Sequence, residues 1–219
     1  QVSTGYAFRP DDSIETVFTH SGDHPVGGDF LSTSEKLWVS HTSATAVRRD
    51  IATAVGGFRE DMVLSEDTEF FARVYLASDF VFHPRVSAVY HGTTNGAVAR
   101  NADVPARLMV FQSLQPRLDQ GNLSEKRASE LRSYLQRLLL DHSMWCLARS
   151  RRSEAMEALR HPLLRDDESR RLPRSLVRLA ACLPRHFVRA YTKLRHSRWS
   201  IPKHLTTNGF RRIVRRQEP

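Results

Sequence analysis

The adjacent glycines Gly56 and Gly57 constrain this chain more than any other feature, because two residues without a Cβ write a tight turn into the backbone. They tolerate positive φ and let another segment or a ligand approach closely. Phe58 follows with a large apolar face. After Arg59 to Leu64 comes Ser65, an N-cap residue, and Glu66, Asp67 and Glu69 fall in the first turn, where carboxylates complement the helix macrodipole. Phe70, Phe71, Val74, Tyr75 and Leu76 recur at helical spacing, which predicts one buried face and a capped end directed at a cleft or at solvent. A carboxylate held there serves as a cap or, near a hydroxyl, as a general base.

The 219 residues leave room for one compact domain and an appendage. The first residue is Gln1 rather than Met, so a portion of a longer or processed polypeptide is expected. No apolar run approaches the length of a bilayer crossing. Cys146 and Cys182 lie far apart with no metal-ligand spacing, which points away from a disulfide scaffold or zinc site and toward a reducing cytoplasm. Charge divides the chain: residues 1–100 carry 8 Lys+Arg against 13 Asp+Glu, whereas residues 101–219 carry 25 against 11. A change of task near residue 100 follows.

Gln1 to Phe30 reads as loop-rich, with one strand at Ile14 to Thr19. Leu37 to Val47 is rich in Ser and Thr and predicts a strand under a cleft, with Trp38 and His41 lining it or joining the core. Arg48-Arg49-Asp50 begins a short helix that ends at the glycine pair. Phe80 to Phe82 and Val86 to His91 read as two short strands broken at Pro84, and Thr93 to Arg100 as a flexible loop.

Taken in order, the run Ser43 to Arg49, the Gly56-Gly57-Phe58 turn, Glu66-Asp67 opening a helix, and the strands from Phe80 to His91 resemble the acceptor-side half of inverting family-2 glycosyltransferases. The resemblance covers about Leu37 to Asn95. It implies an α/β chain: an incomplete GT-A-type domain over residues 1–100, followed by an α-helical C-terminal region. It implies that Asp67 deprotonates the acceptor hydroxyl and that Glu66 orients the acceptor. Gly56, Gly57, Phe58 and Trp38 would then contact substrate. A divalent cation, Mg²⁺ or Mn²⁺, is expected with a nucleotide-sugar donor, and His91 is its ligand by resemblance or else an ordinary polar strand end. Asp11-Asp12 matches the family's acidic pair poorly, because too little chain precedes it for the nucleotide-binding βαβ units, so the donor-binding half is expected to be missing. The acceptor would be a saccharide or a lipid-linked sugar in surface polysaccharide or glycolipid synthesis, and the enzyme cytoplasmic and peripheral at the inner face of a membrane.

Residues 101–165 predict a helical hairpin extension, with Asp103 capping a helix through Leu118, Ser124 capping a longer one, and Ser153 capping a third that stops at Pro162. Residues 166–219 read as a basic amphipathic tail, since Arg170 to Arg216 hold fourteen Lys or Arg and no Asp or Glu. An anionic membrane surface, nucleic acid and bulk water are the partners such a tail can take. The alternative to an enzyme is a non-catalytic helical binding module that docks through this tail.

Overall fold

Residues Val2–Asp11 build the strand β1 where a loop was expected. The residue types hide it: Ser3, Gly5 and Ala7 are small but buried on one face, while Val2 is exposed on the other, so polarity along the strand does not follow burial. A computed structural model describes residues 1–11, 14–20, 24–28, 30–31, 41–91, 105–165, 171–182, 204–207 and 210–216. The chain forms two units, one of Gln1–Val104 with Lys203–Pro219, the other of Pro105–Pro202.

The first unit is mixed α/β. Its elements are β1, β2 (Ile14–His20), β3 (Val26–Gly27), β4 (Thr45–Ala46), α1 (Arg49–Ala54), α2 (Glu66–Ala77), β5 (Val81–His91), β6 (His204–Thr207) and β7 (Phe210–Arg216). Long strands stand in the order β5-β1-β2-β7, with β1 and β5 parallel and the other neighbours antiparallel. Short β3 pairs with β5, β4 with β1, and β6 with β7. The segment expected as a basic tail therefore divides, and its last part returns as a hairpin that pairs along β2 from Ile14↔Arg216 to His20↔Phe210.

Pro84 does not split the strand beside it as expected. His83 lies opposite Thr4 and Val86 opposite Gly5, so β5 continues through an irregular step that contains Pro84 and Arg85. A residue without an N–H is accommodated by stepping the ladder around it. Helix α2 also departs from a one-sided reading, since Glu69 through Tyr75 are all buried. Phe30 supplies part of the cover, its ring 5.8 Å from Tyr75 and edge-on to Phe80 at 5.3 Å.

The second unit is helical: α3 (Ala106–Asp119), α4 (Glu125–Ala148), α5 (Arg152–Ala158), α6 (Pro162–Arg165) and α7 (Arg171–Ala181). Ser124 caps α4 as expected, its Oγ accepting from the Arg127 N–H at 3.4 Å. Helix α5 begins at Arg152 rather than behind Ser153, and Pro162 opens the next short helix instead of only ending the last. The long α4 is the centre of the unit, burying Leu131, Leu135, Leu138 and Leu139 among Phe111 and Leu114 of α3, Ala155 of α5 and Leu164 of α6. Buried Gln136 donates to the Leu163 carbonyl at 2.8 Å, which satisfies its amide inside the helix packing.

Candidate functional site

The head of α2 combines a strained residue with two adjacent carboxylates. Ser65 sits at the N-cap position with φ 61° and ψ 21°, in the left-handed region that a non-glycine residue rarely occupies. Its carbonyl accepts the Glu69 N–H at 2.9 Å, but its hydroxyl makes no capping hydrogen bond. The capping acceptor is instead Asp67, whose Oδ1 takes the Thr68 N–H at 2.6 Å and the Thr68 hydroxyl at 3.2 Å. Asp67 Oδ2 has no hydrogen-bond partner among the described residues. Asp67 and Glu66 are both half-buried, so the carboxylate pair remains accessible from outside the fold.

His41 lies within electrostatic reach of Asp67. Burial pushes this imidazole below the ordinary histidine value, and the Asp67 carboxylate opposes part of that shift. The ring is placed by the short 3₁₀ turn Thr42–Ala44, which it caps: Nδ1 accepts the Ser43 N–H at 3.3 Å. With Nδ1 accepting, the proton of the neutral ring resides on Nε2. The turn is tied to β1, because Thr4 Oγ1 donates to the Ala44 carbonyl at 3.2 Å and the Ser3 and Thr45 hydroxyls meet at 3.0 Å.

The strand pairing then brings rings to His41. Tyr6 faces Ala88 and Phe8 faces Tyr90 across the parallel β1–β5 pair, and the period of two puts Tyr6 and Phe8 on one face. His41 lies 5.2 Å from Tyr6 and 4.8 Å from Tyr90 between ring centroids, while Phe8 stacks on Tyr90 at 5.5 Å. Tyr6 is buried and Tyr90 is 40 % exposed, so the group forms a shelf with a closed back and an open front. Such a shelf offers apolar faces and a hydroxyl to a ligand that has both C–H faces and O–H edges.

The glycine pair is joined to α2 by an arginine that sequence reading missed. Buried Arg73 forks onto buried Glu69 one turn earlier, Nε to Oε1 at 2.6 Å and Nη2 to Oε2 at 2.7 Å. Arg73 Nη1 also donates to the Val55 carbonyl, and Nη2 to the Gly57 carbonyl at 2.7 Å. Gly56 and Gly57 take φ of 85° and 67°, as the turn demands, and Phe58 leaves it to stack on Phe70 at 4.2 Å. The i, i+4 spacing of Glu69 and Arg73 was visible in the sequence, but not its burial.

The residues predicted for the site are thus partly gathered. Glu66 and Asp67 open α2, with Asp67 within electrostatic reach of His41, whereas the glycine turn and Phe58 are bound to α2 further along through Arg73 and Phe70. Trp38 and the loop Thr93 to Arg100 lie outside the described residues. His91 is exposed at the end of β5, opposite Arg9 in the register. Among the described residues no three His, Cys, Asp or Glu side chains gather as a cation site. Arg48 forks onto Asp50 at an exposed helix start, consistent with a solvated end. Comparison with protein-family models, curated proteins and solved structures finds no match to this chain.

Proposed function

We propose that this chain is the acceptor-side portion of an inverting, nucleotide-sugar-dependent glycosyltransferase of GT-A type, with Asp67 as the general base. The observation that carries the reading is the Asp67 carboxylate at the head of α2, half-buried, with one oxygen held by Thr68 and within electrostatic reach of His41. A sugar acceptor bound in front of that carboxylate would present a hydroxyl to it. In the transfer, the acceptor O–H bond breaks and its proton passes to Asp67. The oxygen forms the new bond to the anomeric carbon as the bond from that carbon to the nucleoside diphosphate breaks, which inverts the configuration. Glu66 orients the acceptor, and the glycine turn holds α2 in place through Arg73.

The donor and a divalent cation belong to this reading through the family resemblance, with His91 the cation ligand that the resemblance assigns.

The experiment is Asp67→Asn in the complete enzyme, assayed for sugar transfer from a panel of nucleotide sugars with Mn²⁺ or Mg²⁺. Transfer is expected to fall by at least about 10²-fold, the usual minimum for a positioned base, with the thermal midpoint unchanged. Near-normal turnover removes Asp67 from the reaction. Absence of nucleotide-sugar binding in the intact protein favours a binding module instead.

A further inference from the structure

Helix α7 holds its own unit with one side and leaves another bare. Val177 is buried, and Arg174 Nη1 donates to the Leu164 carbonyl at 2.7 Å, which fastens the helix. Leu176 and Leu179, three residues apart and so on a common face, are 57 % and 62 % exposed. Arg178 between them is exposed as well. The surrounding sequence from Arg170 to Arg216 contains no acidic residue, so nothing along it neutralises the arginines. Two open leucines in a cationic setting suit a partner that is apolar and anionic at once.

We propose that α7 is an interfacial helix that seats the helical unit on an anionic phospholipid surface. Leu176 and Leu179 enter the boundary between headgroups and acyl chains, and Arg178 meets lipid phosphates while its stem lies along the same boundary. Nucleic acid would satisfy the charge but gives the leucines nothing to bury against. Among the described residues no helix is long and apolar enough to cross a membrane. The proposal is independent of the role of Asp67.

The test is flotation of the full chain with vesicles of mixed phosphatidylglycerol and phosphatidylcholine, against vesicles of phosphatidylcholine alone. Binding is expected only to the anionic vesicles and is expected to weaken as salt rises. Replacing both leucines (Leu176→Ser, Leu179→Ser) lowers it at least about tenfold per side chain, and Arg178→Gln lowers it by about fivefold. Both leucines are open to solvent, so the circular dichroism of the double variant stays that of the parent. Vesicle binding that survives the double substitution overturns the proposal, as does equal binding to neutral vesicles. Tighter binding to duplex DNA than to vesicles, indifferent to the leucines, overturns it in favour of nucleic acid. Loss of a self-associated species in the leucine variant, with no vesicle binding by the parent, overturns it in favour of a second copy.

Discussion

Arg73 and Glu69 form a two-pronged ion pair within α2, both side chains buried, and the same guanidinium reaches the carbonyls of Val55 and Gly57. The arginine is thereby a clasp between the helix and the turn. Arg73→Met strands the Glu69 carboxylate in the interior and is expected to destabilise the first unit by about 3–5 kcal/mol. Replacing both members with apolar residues of similar volume costs less than either single change, because no unmatched charge remains. Arg73→Lys also destabilises, since an ammonium cannot make the paired contacts of the fork. Urea denaturation of the three variants checks the order; equal losses in the single and double variants would deny the clasp.

The glycine turn makes a separable prediction. A Cβ at Gly57 would meet no atom within 4 Å, so an alanine there is opposed by the backbone at φ 67° and not by crowding. Gly57→Ala is expected to cost about 1–2 kcal/mol, and Gly57→Asn less, because asparagine visits the left-handed region more readily. Urea midpoints of the two variants measure the difference, and equal values would show that the turn relaxes to a different conformation.

The electrostatic link between His41 and Asp67 can be read directly. The carboxylate raises the imidazole's affinity for a proton against the larger effect of burial, so Asp67→Asn is expected to move the His41 titration to lower pH. Because the folded value already lies below the ordinary one, His41 contributes stability that is complete above about pH 6.5 and is lost as pH falls through the folded value. The asparagine variant should therefore lose more stability in acid than its parent. Proton NMR of the His41 ring follows both effects, and an unmoved titration would separate the two residues.

Much of the local structure was legible because its signals are short-ranged. The helix after Ser65 and the one after Ser124 begin where cap residues and first-turn acids place them. Even so, at the first of these Ser65 makes no capping bond and Asp67 accepts the Thr68 N–H instead. Strand β1 was not legible, since its buried face is made of the small residues Ser3, Gly5 and Ala7, and the exposed Val2 is apolar. Strand β7 was hidden by Arg211, Arg212, Arg215 and Arg216 around Ile213-Val214, which read as a charged tail. Asn208-Gly209 between β6 and β7 was the hairpin signal that went unread. The electrostatic link of His41 to Asp67 joins residues of separate elements and has no signature in spacing.

The pairing of β7 with β2 also sets an order of events. A chain synthesised from its N-terminus completes Pro105–Pro202 as an unbroken stretch, while the sheet that begins with Val2 waits for Phe210–Arg216 before β2 gains its neighbour. Until then β2 presents an unpaired edge, the kind of surface on which nascent chains adhere to one another. Trimming the last residues thus removes a sheet strand as surely as cutting near the start would.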